Sequence, residues 1–285
     1  MLFKQLTVLG PGLLGGSIGL AARARQVAGR IVLWARRPEA CDEALAAGAA
    51  DAATLDMADA ARDADLVVLA TPVGTMGDLA TKLAPLLKPQ ALVTDVGSVK
   101  YPVVTQLDQL LAGKARFVGS HPMAGSEQSG IGAARKELFE GTVCIVTPTA
   151  QTDAGALQQV AEFWKSLGAS VRTLPPLEHD EVVALVSHLP HLVAAALVNL
   201  VCSDGPRPLE FAGGGLRDTT RIASSPPEMW QEICTTNREE VCRALAQFIE
   251  QLETVQTMLR NKEDASLAAF LKRAKFFRDE MKFRK

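Results

Sequence analysis

The fold is decided by one stretch near the start of the chain, Leu6-Thr7-Val8-Leu9-Gly10-Pro11-Gly12-Leu13-Leu14-Gly15-Gly16-Ser17. Its first four residues have the apolar pattern of a buried parallel strand, and the Ala-rich residues after it, to about residue 25, favour a helix. Between a strand and a helix, the spacing G-x-G-x-x-G is the fingerprint of a dinucleotide-binding turn, because the helix N-terminus and bare backbone accept a pyrophosphate. We predict cofactor contacts at Gly10, Gly12, Leu13, Leu14 and Gly15.

The end of the second predicted strand, residues 31–34, indicates which cofactor is used. NAD enzymes of this kind carry a carboxylate for the ribose about 20 residues past the fingerprint, and here that position is Ala35. Without that carboxylate, Arg36 and Arg37 can make charge-assisted hydrogen bonds to a 2′-phosphate. The sequence therefore predicts NADP, with NAD as the alternative, unless both arginines are only solvated loop residues.

Further strand and helix patterns extend the same architecture. Apolar strands at residues 66–70 and 91–95 end in Thr71-Pro72 and in Ser98, which should lie along the cofactor cleft at the carboxyl edge of the sheet. Additional helices are predicted near residues 75–87, 101–111, 131–138 and 157–167, and strands at residues 143–146 and 170–174. The predicted fold class is α/β, a Rossmann-type mostly parallel sheet over residues 1–175, with Pro175-Pro176 at the boundary.

A candidate general base lies in Ser120-His121-Pro122-Met123-Ala124-Gly125-Ser126-Glu127. His121 follows an apolar strand, and its reference pKa of about 6.5 suits proton transfer at neutral pH. Ser98 could hydrogen-bond this imidazole and orient it. The alternative is a histidine that only caps a turn before Pro122.

Residues 176–285 read as a helical domain. A long buried helix is predicted from residue 179 to about 202, interrupted or restarted at Leu189-Pro190, with one or two helices over 228–260 and a basic helix from 267 to 285. Such long apolar faces are hard to hide within one chain, so we expect a homodimer through this half.

Two polar motifs of the helical half are candidates for ligand binding. His188 and His191 lie three residues apart in Ser187-His188-Leu189-Pro190-His191, but no third ligand has a suggestive spacing, so hydrogen bonding is favoured over a metal. Arg217 and Arg221 follow Gly213-Gly214-Gly215, and either could hold a carboxylate. A structural salt bridge to Asp218 or Glu127 is the alternative for these arginines.

Composition excludes several classes of function. The net charge of −2 in 285 residues offers no basic surface for nucleic acid. Five cysteines without a C-x-x-C pair suit a reducing cytoplasm. The longest apolar run, residues 192–201, is shorter than the roughly 20 residues of a membrane span, so none is expected.

Together these motifs resemble the prephenate and arogenate dehydrogenases of tyrosine biosynthesis. The resemblance covers essentially the whole chain and rests on the glycine turn and on five later motifs: Asp95-Val96-Gly97-Ser98-Val99-Lys100, residues 121–127, residues 187–191, residues 215–223 and Met229-Trp230. It implies an NAD(P)-dependent oxidative decarboxylation of prephenate or arogenate. It also implies site roles: His121 as catalytic base, Ser98 bonded to it and to the substrate hydroxyl, Arg221 on a substrate carboxylate, and Ser126, Glu127, His191 and Asp218 lining or gating the site.

Two other functions stay open at this point. A β-hydroxyacid or imine reductase shares this domain order but takes a catalytic lysine from its helical half, and no lysine occurs between Lys165 and Lys262. A non-catalytic NADP sensor would need the glycine turn but neither His121 nor Arg221. Between prephenate and arogenate, an acidic neighbour such as Glu127, Glu178 or Asp180 would favour the ammonium of arogenate.

Overall fold

One eight-stranded sheet organises the first half of the chain in the computed structural model, which describes residues 1–125 and 128–281. The strands are β1 (Phe3–Leu9), β2 (Ala28–Trp34), β3 (Ala52–Thr54), β4 (Leu66–Leu69), β5 (Leu92–Asp95), β6 (Arg116–Pro122), β7 (Val143–Thr147) and β8 (Ser170–Thr173). Their order is β3-β2-β1-β4-β5-β6-β7-β8, and all neighbours are parallel except β6 and β7. The predicted Rossmann-type, mostly parallel sheet is confirmed.

Helices cover both faces of this sheet. They are α1 (Leu13–Ala24), α2 (Pro38–Ala46), α3 (Met57–Ala61), α4 (Met76–Leu83), α5 (Tyr101–Leu111) and α6 (Ala154–Ser166). Strand β4 explains why both faces must be covered, because its side chains alternate between two cores: Leu66 and Val68 pack into one, Val67 and Leu69 into the other. Each such buried leucine contributes about 1.5–3 kcal/mol of apolar burial.

The glycine turn brings α1 against the end of β1. A Cβ at Gly15 would lie 1.9 Å from the Gly10 carbonyl oxygen, so only glycine allows this packing. Gly10 itself has φ +104°, in the left-handed region. A Cβ built on Gly12 meets no atom within 4 Å, which leaves the turn open on the side of the cleft.

Some local predictions for this half are wrong. The segment near residue 131 forms only the 3₁₀ turn Ile131–Ala133, because Gly130 has φ +81° and Ala134 is extended, so no helix reaches residue 138. α2, β3 and α3 were not predicted, because they are short and Ala-rich and show little periodicity.

The helical half begins at Pro176 with a helix that does not stop at Pro190. α7 (Pro176–Val183) continues through the π-helical turn Ala184–His188 into α8 (Leu189–Val201). The predicted interruption is wrong because Pro190 lies in the first turn after the wide π turn, where its ring and missing N–H are tolerated.

This continuous helix also differs from the sequence prediction in burial and length. Leu185, Val186 and Leu200 on it are exposed, so it is not the buried helix expected. Taken by length and apolar composition alone, its 26 residues, Pro176–Val201, could span a bilayer, and the sequence reading counted only the last ten. Core helices of soluble proteins can meet the same two criteria.

Four helices complete the described chain: α9 (Gly214–Thr220), α10 (Pro227–Thr236), α11 (Arg238–Arg260) and α12 (Asp264–Glu280). α9 begins inside Gly213-Gly214-Gly215, so the second and third of these glycines are helical. α10 and α11 match the one or two helices expected over residues 228–260.

Candidate active site

A cavity of about 1050 Å³ lies between the carboxyl edge of the sheet and the helical half. Its walls come from both halves of the chain: the sheet half contributes Gly12, Leu13, Leu14, Thr71, Pro72, Ser98 and His121, and the helical half contributes Ser187, His188, Arg221, Glu228, Trp230 and Glu232. The fold therefore brings the predicted base, the predicted anion anchor and the glycine turn to one space.

A smaller cavity of about 270 Å³ adjoins the first and shares Gly12, Thr71 and Pro72 with it. It is lined by Gly10, Ala35, Arg36 and Arg37, together with Glu43 of α2. All of the predicted cofactor residues except Gly15, which packs against Gly10, thus line two adjoining cavities. Glu43 was not predicted, and neither was its helix.

His121 sits near the carboxyl end of β6 and is 7% exposed. Its Nδ1 is 2.9 Å from His179 Nε2, and His179 Nδ1 is 2.7 Å from Asp180 Oδ1. The carboxylate can only accept, so His179 carries its proton on Nδ1 and accepts at Nε2 from the Nδ1–H of His121. The remaining His121 nitrogen, Nε2, is therefore the one that keeps its lone pair.

Asp180 is itself fixed across the junction between the halves. Its Oδ1 accepts from the backbone N–H of Lys100 at 2.7 Å and its Oδ2 from that of Tyr101 at 2.8 Å. These are donors at the N-terminus of α5, where a carboxylate is electrostatically stabilised. The hydrogen-bonded series His121–His179–Asp180 is therefore held at both ends by regular secondary structure.

A buried ion pair holds the peptide that precedes His121. The side chains of Lys100 and Asp95 are both fully buried and pair with each other. Lys100 Nζ donates to the Ser120 carbonyl oxygen at 3.0 Å, and Asp95 Oδ1 accepts from the Ser120 N–H at 3.0 Å. Both backbone polar groups of Ser120 are thus fixed by charged partners, which restricts the position of the next residue.

Burial sets the protonation of these histidines. It lowers the pKa of His121 well below its ordinary value, and the positive charges that His179, Lys100 and His188 can carry lower it further. Burial also lowers the pKa of His179, although Asp180 opposes the shift. Both rings are therefore neutral at neutral pH, which leaves His121 able to accept a proton.

The opposite wall is built around an indole. His191 stacks on Trp230 with ring centroids 3.6 Å apart, and His188 meets the same indole edge-to-face. His191 does not itself line the cavity, so it reaches the site through Trp230. Among the described residues, His191 Nδ1 and Trp230 Nε1 have no hydrogen-bond partner, although both are buried.

Several expected residues are placed differently. Asp218 is exposed and bonds Arg217 at 3.0 Å, so this pair matches the structural salt bridge given as the alternative, and Asp218 does not line the cavity. Within residues 1–125 and 128–281, Ser98 lines the cavity but makes no hydrogen bond to His121, whose Nδ1 partner is His179. Ser126 and Glu127 lie outside the described residues.

The residues that support His121 were not predicted in that role. Asp180 was considered only as an acidic group beside the ammonium of arogenate, but it does not line the cavity. His179 and Asp180 are adjacent in sequence, and this His-Asp pair at the start of the helical half is the only local signal that could have indicated them. Lys100 was quoted only as part of a motif. Their roles depend on distant contacts, of 80 residues between Lys100 and Asp180, which a linear pattern does not contain.

Comparison with known proteins gives consistent matches over nearly the whole chain. The family model described as prephenate dehydrogenase, nucleotide-binding domain, matches residues 18–173, and that described as prephenate dehydrogenase, dimerization domain, matches residues 175–273. The prephenate dehydrogenase of Bacillus subtilis is 37% identical over 98% of this chain and 76% of its own length.

Solved structures give the same result. The structure of prephenate dehydrogenase from A. aeolicus in complex with hydroxyphenyl propionate and NAD+ has a TM-score of 0.93 and 35% identity, with 98% of each chain covered. The Synechocystis arogenate dehydrogenase has a TM-score of 0.85 and 30% identity, covering 97% of this chain and 99% of its own.

Proposed function

The chain belongs to the prephenate dehydrogenase family, and from that premise we propose that it prefers NADP and acts as a cytoplasmic homodimer. It is a prephenate or arogenate dehydrogenase, an oxidoreductase that uses a nicotinamide cofactor for an oxidative decarboxylation in tyrosine biosynthesis. The observation that carries the proposed mechanism is that His121 and Arg221 line one cavity with the glycine turn.

The preference for NADP is supported by the residues of the smaller cavity. The side chain at position 35 is a methyl group, and two guanidinium groups, Arg36 and Arg37, line the same space. Glu43 is the one carboxylate among its lining residues. Because two guanidinium groups and only one carboxylate line this cavity, it favours a ribose that carries a phosphate. The pyrophosphate would be held at Gly12 and the N-terminus of α1, where a Cβ would meet nothing within 4 Å.

His121 is proposed as the base of the reaction. Its Nε2 takes the proton of the ring hydroxyl as the carbon that bears this hydroxyl is oxidised to a carbonyl. The bound nicotinamide supplies the chemistry of hydride acceptance. The new carbonyl is conjugated through the ring to the carbon that bears the carboxylate, so carbon dioxide leaves as the ring becomes aromatic.

His179 and Asp180 are proposed to stabilise the charge that His121 acquires. When Nε2 is protonated, the Nδ1–H bond to His179 strengthens, and the Asp180 carboxylate at the far end compensates the positive charge. No group has to move for this, since Asp180 is already held by two backbone N–H groups of α5.

Arg221 is proposed to hold a substrate carboxylate from the helical side of the cavity, with Ser98 beside the reacting hydroxyl. His191 would act through Trp230, whose buried Nε1 has no partner among the described residues and suits a hydrogen bond to a bound ligand. Ser126 and Glu127 keep the roles that the family resemblance implies.

The proposed dimer would form through residues 176–285. Large apolar side chains on this half are exposed in the single chain: Leu185, Val186, Leu200, Leu209, Phe211, Ile249, Leu252, Leu259, Leu271, Phe276 and Phe277. Exposed apolar surface of this extent favours association. The cytoplasmic location is supported by five cysteines without a C-x-x-C spacing.

One assay tests the function and the cofactor together. Reduction of the nicotinamide is followed at 340 nm with prephenate and with arogenate, each in the presence of NAD and of NADP. We expect turnover with at least one of the two acids and a higher kcat/KM with NADP. Binding of NADP without turnover of either acid would favour the sensor, and equal kcat/KM with NAD and NADP would contradict the cofactor preference.

A further inference from the structure

His188 and Asn237 form a buried pair that the mechanism above does not use. Asn237 lies between α10 and α11 and is 5% exposed. Its Nδ2 is 2.9 Å from the Asp180 carbonyl oxygen and 3.2 Å from His188 Nδ1. A carbonyl oxygen can only accept, so the atom of Asn237 at this position must be the amide nitrogen and not the amide oxygen.

The orientation of this amide decides the tautomer of His188. The NH₂ group has two hydrogens, and it donates one to the Asp180 carbonyl and the other to His188 Nδ1. A proton on His188 Nδ1 would oppose the amide hydrogen, donor against donor. His188 must therefore carry its proton on Nε2.

His188 is uncharged at neutral pH for two reasons: a second proton, on Nδ1, would oppose the amide hydrogen of Asn237, and the ring is buried. Burial is the largest cause that lowers its pKa, to about 4, with a smaller contribution from His179, while Asp180 acts in the opposite direction. The other ionisable groups around the cavity are His121, Arg221, Glu228 and Glu232. A neutral ring offers the cavity one N–H group.

We propose that His188 is a substrate-binding residue whose uncharged Nε2–H donates a hydrogen bond to an oxygen of the substrate, and that Asn237 is the positioning residue that fixes this tautomer. His188 lines the cavity together with His121 and Arg221, and its Nε2 has no hydrogen-bond partner among the described residues. The role of His188 rests on the proposed function, since the ligand is the cyclohexadienyl acid of that reaction.

The absence of charge on this donor matters for the base. A positive charge on His188 would lower the proton affinity of His121, because the two rings interact electrostatically. An uncharged N–H group can bind a substrate oxygen without this effect. Asn237 thus serves two purposes, because it directs the proton to the cavity side of the ring and disfavours a second proton.

The tautomer can be measured without any turnover. The chain has four histidines, so ¹⁵N-histidine labelling of the NADP-loaded enzyme gives few signals, and His188→Gln identifies the resonance of His188 by its loss. Long-range ¹H–¹⁵N correlations show which ring nitrogen carries the proton. We expect Nε2–H for His188 and no titration between pH 5.5 and pH 8. A proton on Nδ1, or a midpoint near the ordinary histidine value, would overturn the proposal.

Kinetics of matched variants test the contact with substrate. His188→Gln keeps an amide N–H near the position of Nε2, and His188→Leu removes the donor. We expect kcat/KM to fall about 10- to 100-fold for leucine, mainly through KM, and less than about 5-fold for glutamine. Equal losses for the two variants, both still binding NADP, would contradict the donor role.

Asn237→Asp tests the positioning role, with Asn199→Asp as control. The new carboxylate accepts from His188, so the proton should move to Nδ1 and the ring should titrate at higher pH. Asn199 is exposed on α8, and its variant should leave both the spectrum and kcat/KM unchanged. An unchanged His188 tautomer in Asn237→Asp would remove Asn237 from the proposal. A wild-type enzyme inactive with both acids would instead reject the proposed function and leave the tautomer result standing.

Discussion

At the scale of single residues, the site depends on a line of three side chains, His121, His179 and Asp180, whose proton positions follow from one carboxylate that can only accept. The same reasoning gives the proton position of His188 from one carbonyl oxygen. Hydrogen-bond donors and acceptors thus determine which nitrogen of each imidazole is available for chemistry.

The Asp180→Asn variant tests this line of residues. The Asp180 carboxylate raises the pKa of His179, so its removal should make proton uptake by the His121–His179 pair less favourable. We expect kcat to fall and the acidic limb of the kcat/KM profile to shift to lower pH. His121→Asn is the reference, expected to lose at least about 10²-fold in kcat with little change in KM. A shift of the acidic limb to higher pH would contradict the role of Asp180.

Arg36→Glu tests the cofactor at the same scale. A carboxylate here repels a 2′-phosphate but can accept from the 2′-hydroxyl of NAD. KM for NADP should rise at least about 10-fold, corresponding to loss of one charge-assisted contact, while KM for NAD changes less. Glu39, on the first turn of α2 but outside the lining of the cavity, allows a control in Glu39→Gln. Equal losses for the two cofactors would reject the assignment of Arg36.

At the scale of elements, the sequence predicts best where a segment has one dominant pattern. The fully apolar β4, the fully buried β5 and the glycine turn are recognisable because burial on both faces and close packing each leave a distinct composition. α2 and β3 have no such pattern and were missed. The segment near residue 131 has apolar spacing, but its backbone becomes extended at Ala134, so the 3₁₀ turn does not continue as a helix.

Gly15→Ala tests the packing of α1 on β1. An alanine Cβ would lie 1.9 Å from the Gly10 carbonyl oxygen, so the helix would have to move away from the turn. We expect loss of about 1–3 kcal/mol in the free energy of unfolding and weaker cofactor binding, measured by urea denaturation and by fluorescence titration. Gly132→Ala is the control, since its Cβ would meet nothing within 4 Å. Wild-type stability in Gly15→Ala would contradict the packing argument.

At the scale of the whole molecule, the four histidines make stability depend on pH. All four have a lowered pKa in the folded chain, mainly through burial. The unfolded chain therefore binds more protons below its histidine pKa of about 6.5, and stability falls as the pH decreases from there. His188 alone, lowered to about 4, should cost about 2 kcal/mol at pH 5 relative to pH 7.5.

Urea denaturation at the two pH values measures this effect. His188→Gln should show a smaller loss of stability at pH 5 than the wild type, because one of the four linked protons is absent. A wild-type midpoint that is equal at pH 5 and pH 7.5 would contradict neutral burial of these rings.

The oligomeric state is the second property of the whole molecule. Leu200 on α8 is 70% exposed in the single chain, and Leu200→Glu should convert the expected dimer to a monomer in light scattering after size exclusion. The neighbouring exposed Asn199→Asp adds the same charge without removing apolar surface, and should leave the mass unchanged. A dimeric Leu200→Glu protein would exclude this surface from the interface.

The wide turn at Ala184–His188 has a consequence for the phase of the long helix. Residues nine apart in an ideal α-helix, at about 100° each, point in opposite directions, so a regular helix would put His179 and His188 on opposite sides. The π turn uses more residues for one revolution than an α-helical turn, so the residues after it are rotated about the helix axis. Deletion of one residue from this turn could leave the helix continuous. The part of the helix after the turn would then be rotated by about 100°, and His188 would face away from His121. The rotation introduced by the π turn, more than the length of the helix, thus keeps the imidazoles of His179 and His188 in one site.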